Sequence, residues 1–378
     1  MTARRPVTMP VPLPFVDGVL SADDVRATAR SIARQQEPCG AIPWVAGQHA
    51  DVWNHVEAAM GLLVGGFVEE AEAAYLWVPT VQNVDGSAPM RIVAGEIVDP
   101  LGETNMSAYL AVGLWHHWLM RRDRAFVERL WPSVRAGLDF VVGLQQAFGG
   151  IAWTRRDSFC LLTGSSSIYQ SLRAGVALAE LVDDPQPEWE LAGGRLGHAL
   201  REHRDEFADK SSYSMDWYYP VLGGAVTGAA GRKLIESQWS HFVVPGLGAR
   251  CVDTNPWVTG AETCELALAL DNLGDHRGGF ELLRTMQHLR AEDGGYWTGW
   301  VYEDPTYPND NPNAFWPEEH STFTAAAVIL AVDALGERYG AATPGSGIMR
   351  GTSLAAPFQE LALECGCPTD DAASVLTD

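Results

Sequence analysis

The sequence has few basic residues and no long apolar run. Lysine and arginine total 26 against 48 aspartates and glutamates, which gives a formal net charge of −22 at pH 7. A surface this acidic repels nucleic-acid phosphates and anionic lipids, and no stretch reaches the roughly 18 apolar residues of a membrane span. The composition therefore predicts no nucleic-acid and no membrane partner. It favours a neutral ligand over a polyanion such as alginate or heparin.

The chain also lacks the marks of a secreted protein. Its first 18 residues carry two arginines but are broken by four prolines, with no apolar core and no small-residue cleavage site. The six cysteines are scattered through a large chain, a pattern more typical of reduced thiols than of a disulfide framework. These two features predict a cytoplasmic location.

No alternating run long enough for a real sheet stands out, whereas helical periodicity runs through most of the chain. Several of the predicted helices begin with Ser, Asp or Glu, residues that satisfy the free N–H groups of a first turn. The pattern predicts twelve helices, over 21–36, 51–65, 67–81, 103–121, 124–146, 165–183, 188–204, 216–229, 231–241, 260–273, 277–290 and 319–338.

A short motif recurs where helices end. A glutamine is followed by glycine and then by proline or tryptophan, as in Gln36…Gly40…Trp44 and Gln145…Gly149…Trp153. The copies of the motif are separated by irregular distances of one or two helical hairpins, as expected for a ring of hairpins. These loops resemble the repeat of the terpene-cyclase and prenyltransferase toroid superfamily. The resemblance implies an all-α (α/α)6 toroid with six inner and six outer helices; an open helical solenoid is the alternative.

We predict three regions along the chain. Residues 1–20 form an irregular arm, 21–342 form one catalytic (α/α)6 domain without an internal linker, and 343–378 form a tail with at most one short helix. The segment 303–317 is rich in Pro, Asn and Asp, and we expect it to be a long loop over the cavity mouth.

In such a toroid every second helix lines the inside, and all inner helices begin on one face. Five of the six predicted inner starts carry a carboxylate, at Asp51, Glu103, Asp216, Glu262 and Glu318. Four have a tryptophan within a few residues, at Trp53, Trp217, Trp257 and Trp316. A single such carboxylate is explained by helix capping. Five on one rim, interleaved with aromatic rings, indicate a carbohydrate site.

Glycoside hydrolysis needs two carboxyl groups, one protonated and one ionised. Glu262 lies among small uncharged residues, where partial burial would favour the protonated form, so it is the predicted general acid. Asp51 lies among polar groups that would keep it ionised, so it is the predicted general base. The predicted substrate-binding residues are Trp44, Trp53, His55, Glu103, Asn105, Tyr169, Asp216, Trp217, Tyr218, Asp253, Trp257, Trp297, Trp316, Glu318 and His320. No metal and no cofactor are predicted.

Longer segments carry a closer resemblance. Gly40-Ala-Ile-Pro-Trp44, Gly102-Glu-Thr-Asn-Met-Ser107 and Val252-Asp-Thr-Asn-Pro-Trp-Val-Thr-Gly-Ala-Glu-Thr-Cys264 look like an actinobacterial family often labelled prenyltransferase-like. One branch of it resembles the mycobacterial methylmannose polysaccharide hydrolases. This resemblance implies a cytosolic endo-α-mannosidase acting on a neutral polysaccharide, with Asp51 and Glu262 as the catalytic pair. Analogy with other (α/α)6 glycosidases favours inversion.

Other functions stay open at this point. A terpene cyclase or prenyltransferase-like toroid would act on an isoprenoid, but each aspartate pair lacks the further aspartate of Asp-x-Asp-Asp or Asp-Asp-x-x-Asp. A prenyltransferase zinc site would need Asp-x-Cys; Cys251-Val252-Asp253 runs in reverse, with His320 as a third ligand. A non-catalytic glycan-binding protein would use the aromatic residues without Glu262. A polysaccharide lyase would require a uronic acid, and a rim with few basic groups is poorly suited to bind this negatively charged sugar.

Overall fold

The computed structural model describes residues 12–304 and 317–359. Within these ranges the α-helices are α1 Ala22–Ala33, α2 Val52–Val64, α3 Val68–Val81, α4 Thr104–Arg121, α5 Arg124–Val142, α6 Leu162–Leu181, α7 Pro187–Glu202, α8 Ser214–Leu222, α9 Gly228–Phe242, α10 Gly260–Asn272, α11 His276–Thr285 and α12 Thr322–Tyr339. The strands are β1 Phe15–Val16, β2 His49–Ala50, β3 Ala88–Val93, β4 Glu96–Glu103, β5 Val243–Val244, β6 Gly248–Arg250, β7 Trp257–Thr259, β8 Gly299–Val301 and β9 Gly340–Ala341. None of the described helices has both the length and the apolar character needed to cross a bilayer.

The even-numbered helices form a closed inner ring. Each packs against the next, from α2 through α4, α6, α8 and α10 to α12, and α12 returns to α2. Helices buried on all sides are apolar around their whole circumference, as in α12, whose residues 322–336 are all buried. The odd-numbered helices pack outside this ring. The predicted (α/α)6 toroid is therefore confirmed, and the contact between α12 and α2 excludes an open solenoid.

The recurring glutamine of the sequence motif ties neighbouring outer helices together. Gln36 Nε2 donates to the carbonyl of Gly40 in its own loop, at 3.0 Å, and to that of Glu70 in α3, at 2.9 Å. Gln82 and Gln145 form the same pair of bonds, to their own loop and to the next outer helix. The motif thus joins three successive pairs of outer helices, α1 to α3, α3 to α5 and α5 to α7, in the same way.

The glycines of this motif are required by space as well as by conformation. Gly40 has φ +100°, and a Cβ there would lie 2.5 Å from the carbonyl oxygen of Ala73. Gly86 has φ +88°, and its Cβ would lie 2.2 Å from the carbonyl oxygen of Ala136. Left-handed backbone pressed against a neighbouring helix accepts only glycine.

Short antiparallel sheets lie on the rim. Strands β2, β3 and β4 form one antiparallel sheet, and β5 to β8 form another. The sequence shows no alternating run long enough for a real sheet, and the structure has little sheet: most of these strands have two or three residues, and half of the residues of the longest, β4, are exposed. A strand that is very short or exposed does not produce a recognisable alternation of apolar and polar residues.

Helix α8 is shorter than predicted. The sequence pattern extended it over 216–229, whereas it begins at Ser214 and ends at Leu222. Gly223 caps it, and Gly224 follows with φ +80°. Successive glycines allow the chain to leave the helix there, and the apolar residues that follow belong to the turn before α9.

The described part of the tail closes one end of the ring. Residues 343–359 form turns against the C-terminal ends of the inner helices. Gln170 in α6 donates to the carbonyl of Ile348 at 3.2 Å, and both carboxylate oxygens of Asp333 in α12 accept bonds from Thr343. Ile348 is buried. The described tail therefore leaves uncovered the opposite end of the ring, where the inner helices begin.

Candidate active site

The rim sheets deliver acidic residues to the starts of the inner helices. Strand β2 ends next to Asp51, the N-cap of α2, and β4 ends at Glu103, the N-cap of α4. Strand β7 ends at Thr259, three residues before Glu262 in the first turn of α10. Because these helices are members of one closed ring, the three carboxylates lie on the same rim.

Asp51 is a buried cap. Its Oδ1 accepts the backbone N–H of Asn54 at 3.0 Å, and its Oδ2 accepts Nδ2 of the same residue at 2.5 Å. The side chain is almost fully buried. Burial raises the pKa of Asp51, partly offset by the two bonds from Asn54. Burial is thus stronger than the polar neighbours that were expected to keep this group ionised. A raised pKa makes its carboxylate a better proton acceptor.

Glu103 lies close to Asp51 and is also buried. Its Oε2 accepts the N–H of Met106 at 2.6 Å, and the Trp153 side chain donates to it. Burial raises the pKa of Glu103 to about 7, and the negative charge of Asp51 adds to the rise.

Two further glutamates, Glu57 and Glu265, lie deeper in the ring and were not predicted. Glu57 Oε1 accepts the Tyr109 hydroxyl at 2.7 Å, and burial raises its pKa to about 7. Glu265 accepts the hydroxyls of Tyr218 and, at 2.6 Å, Tyr219. Burial and the charge of Glu57 raise the pKa of Glu265 well above its usual range. The sequence feature that could have identified these two residues is a carboxylate on an otherwise apolar helix face.

Glu262 lies above Glu265 on α10. Residues three apart share a helix face, and the charge of Glu262 acts on Glu265. Glu262 retains 9% of its surface, more than Asp51, Glu57 or Glu265. The Cys251 thiol is hydrogen-bonded to Glu262, and burial raises the thiol pKa, so the thiol stays protonated and donates. An electrostatic cluster therefore continues from Asp51 through Glu57 and Glu265 to Glu262.

Aromatic rings cover this cluster. The half-buried Trp53 contacts the rings of Tyr109 and Tyr219, both with centroids 6.0 Å away, and that of Phe323 at 5.7 Å. Trp44 lies 5.8 Å beyond Phe323 and extends the aromatic surface. Rings of this kind present apolar faces with polar edges, which match the faces of sugar rings.

Other predicted residues lie along the same rim. Trp44 donates from Nε1 to Glu319 at 2.6 Å, so the rim carboxylate with a partner is Glu319 rather than the exposed Glu318. Trp297 is 38% exposed and meets the His320 ring edge-on at 4.1 Å. Half-buried Trp257 packs against the backbone of β8.

Asn105 and Tyr218 lie on the inner helices α4 and α8. Among the described residues, Asn105 Oδ1 is buried without a hydrogen-bond partner, as expected of an atom that receives a ligand hydroxyl. Tyr218 is fully buried and contacts Glu265. We infer that Tyr218 orients the carboxyl cluster and does not itself contact a ligand.

Three predicted binding residues point away from the cavity. His55 is fully buried; its Nδ1 accepts from Ile42, and its Nε2 bonds the carbonyl of Ala74. Tyr169 packs against Phe358 in the tail. Trp217 stacks on Phe242 of the outer helix α9, at 5.5 Å. Their predicted contacts with a substrate therefore have no support from these positions.

The remaining predicted carboxylates are separate from the cluster. Asp216 accepts from Thr163 N and Oγ1, at 3.2 and 2.5 Å, and burial raises its pKa. Asp253 bonds His241 at 2.8 Å in a loop. Trp316 lies outside the described residues, as does most of the segment expected to form a loop over the mouth.

The residues of the hypothetical zinc site have other contacts. Cys251 bonds Glu262, Asp253 bonds His241, and His320 meets Trp297. Within residues 12–304 and 317–359, no group of three or more His, Cys, Asp or Glu is arranged to hold a metal ion.

The buried carboxyls predict that the protein is more stable at mildly acidic pH. The folded pKa values of Glu57 and Glu103, about 7, exceed the usual 4.5, so the folded state binds these protons more tightly than the unfolded state. The contribution of these two carboxyls to stability therefore rises as pH falls through 7 and levels off below about 4.5, by a few kcal/mol per group, and it outweighs the opposite contribution of the buried His55 and His116, whose pKa values are lowered by burial. We expect a higher Tm at pH 5.5 than at pH 8, and a flatter dependence in Glu103→Gln. An unchanged Tm across this interval would contradict the assignment.

Known proteins with a similar sequence or fold include several that act on sugars. The chain is 50% identical over 363 residues to the MMP endo-(1,4)-3-O-methyl-alpha-D-mannosidase of Mycolicibacterium hassiacum, covering 95% of this chain and 98% of the relative. No protein-family model matches the chain.

Among solved structures, a glycosidase superposes with a TM-score of 0.68 at 15% identity, covering 84% of this chain and 96% of its own. A D-mannose isomerase gives a TM-score of 0.60 at 8% identity, covering 82% and 95%. At these identities both comparisons show the fold alone. The sequence relationship favours a hydrolase over an isoprenoid enzyme or a non-catalytic glycan-binding protein. The chain is a glycoside hydrolase and belongs to the same family as the mannosidase of Mycolicibacterium hassiacum.

Proposed function

We propose that the protein cleaves 1,4-linked chains of 3-O-methyl-α-D-mannose at internal linkages, with Glu262 as general acid and Asp51 as general base. The activity for which the relative is named, at 50% identity over nearly the whole length of both chains, supports the substrate. The position of Asp51 and Glu262 at the two ends of one carboxyl cluster supports the mechanism and is the observation that carries it. We also propose a cytoplasmic location, as the sequence predicts.

In the proposed reaction, Glu262 gives its proton to the glycosidic oxygen as the bond from that oxygen to the anomeric carbon breaks. Asp51 removes a proton from a water molecule, whose oxygen forms the new bond to the anomeric carbon. The positive charge that develops on the sugar is stabilised by the surrounding carboxylates. Attack from the opposite face inverts the configuration, so an α-linked chain yields a β-anomer first.

The surroundings of the cluster suit a neutral, partly methylated glycan. Methyl ethers make the sugar less polar, and the aromatic surface of Trp44, Trp53 and Phe323 offers contacts for apolar faces. The net charge of −22 disfavours anionic chains. Asn105 Oδ1, buried without a partner among the described residues, is placed to accept a sugar hydroxyl.

The test is a digest followed by mass spectrometry. We expect the protein to convert 3-O-methylated 1,4-linked mannose chains into internal fragments and to leave unmethylated mannan and glucan chains largely intact. Proton NMR of the earliest products should show the β-anomer. Cleavage only of unmethylated chains would overturn the substrate assignment, and an initial α-anomer would overturn the single-displacement mechanism.

A further inference from the structure

A second cleft lies on the rim, outside the inner ring, where α8 begins and α9 ends. It encloses about 310 Å³, at the lower end of the range for small-ligand sites. Its floor is apolar and includes Phe207, Leu234 and Phe242. Its edge is polar and includes Asp216, Ser237 and Gln238, and the charged residues Arg204, Asp205, Asp209 and Lys210 also line the cleft.

Hydrogen bonds connect this cleft to Glu262. The backbone N–H of Ser214, at the start of α8, donates to the carbonyl of Cys251 at 2.9 Å. The thiol of Cys251 bonds Glu262. Asp216, on the edge of the cleft, lies two residues beyond Ser214 in the same first turn. The first turn of α8 therefore carries both a residue bonded to the partner of Glu262 and a residue on the edge of the cleft.

The lining has the chemistry of a site for a methylated sugar. Thr163 holds Asp216 Oδ1 through two bonds and so fixes the direction of Oδ2. A carboxylate, a serine hydroxyl and an amide along one edge match sugar hydroxyls. The apolar floor matches a methyl ether and a ring face, and Trp217 supports this floor by stacking on Phe242.

We propose that this cleft is a distal subsite that binds one sugar unit of the methylated chain, several units away from the cleaved linkage. The inference rests on the proposed function, because its occupant is the same glycan. A subsite of this kind contributes binding energy only when the chain is long enough to reach it. Its effect is therefore confined to long substrates.

A matched pair of variants on α9 tests the proposal. Ser237 and Ser240 are both exposed serines of the same helix, but only Ser237 lines the cleft. Ser237→Trp should fill the cleft, whereas Ser240→Trp adds the same bulk beside it. For Ser237→Trp we expect kcat/KM on long methylated chains to fall about tenfold through KM, the equivalent of one lost sugar contact. Its kcat/KM on the shortest cleavable oligosaccharide should be unchanged. Ser240→Trp should match the unaltered protein on both.

Two results would overturn the subsite. In the first, Ser237→Trp and Ser240→Trp have the same kcat/KM on long chains. In the second, the kcat/KM of Ser237→Trp falls equally on long and short chains. Binding of the long chain to Glu262→Gln, with and without Ser237→Trp, separates this inference from the proposed function. If Glu262→Gln alone binds the long chain more tightly than the double variant with Ser237→Trp, the subsite is supported even if Glu262 is not the acid. Equal binding of both proteins rejects the subsite while leaving the role of Glu262 untouched.

Discussion

Replacing Glu262 with glutamine is expected to lower kcat on the natural linkage by about 10²- to 10⁴-fold, the usual contribution of a general acid. Glutamine keeps the size of the side chain and can still accept from Cys251, so folding and glycan binding should persist. The loss arises because the departing sugar oxygen no longer receives a proton. The measurement is kcat on methylated oligosaccharides, together with Tm and binding of the intact chain.

The leaving group distinguishes an acid from a binding residue. An aryl glycoside with an acidic phenol departs without a proton, so Glu262→Gln should lose far less activity on that substrate. Glu188→Gln is the matched control, because Glu188 is an exposed carboxylate on the outer helix α7, and it should leave kcat unchanged. An equal loss on natural and aryl substrates would remove Glu262 from the acid role.

Replacing Asp51 with asparagine is expected to produce a loss of similar size, about 10²- to 10⁴-fold in kcat, for every leaving group. A general base acts on the attacking water, whose proton must be removed whatever group departs. Asparagine caps helices about as well as aspartate, so the cap on Asn54 N should survive. The measurement compares kcat on natural and aryl substrates, with Tm as the readout of the cap.

Asp123→Asn provides the control for capping. Asp123 caps the outer helix α5 through the N–H of Phe126 at 3.1 Å, in the manner of Asp51 in α2. Its replacement should leave kcat unchanged. If Asp51→Asn retains full activity, Asp51 is only a cap. If it loses activity on the natural linkage alone, its role is not that of the base.

The deeper carboxyls add a constraint on these variants. Glu57 and Glu265 share the interior with three tyrosine hydroxyls, and burial favours their protonated forms. A neutral pair beneath Glu262 and Asp51 limits the number of negative charges in the ring. Removal of charge at Asp51 is therefore compatible with the folded ring, since it lowers repulsion among the remaining carboxyls, and Glu262→Gln keeps the neutral side chain that the proposed acid has before it gives up its proton.

Most of the candidate site was predictable because its residues begin helices. A carboxylate at a helix start interrupts the apolar pattern next to a glycine, a strand or a helix cap, where it can be recognised. This is the case for Asp51, Glu103 and Glu262. The deep carboxyls were not predicted because Glu57 and Glu265 occur singly within apolar helix faces. Their partners Tyr109 and Tyr219 come from other helices, and a sequence pattern does not state which buried side chains meet.

The sequence by itself determined the number of helices, their alternation between inner and outer positions, and the loops that join them. The number of helices follows from local periodicity, and their alternation was implied by the resemblance of the Gln–Gly loops to the toroid superfamily. The bonds of this motif extend only to the next outer helix. Tertiary structure decided that His55, Tyr169 and Trp217 face neighbouring helices and that the described tail closes one end of the ring. A residue at a helix start can point toward either side. The rotation of each helix is fixed by packing against distant neighbours, so only the closed ring decides which side chains reach the cavity.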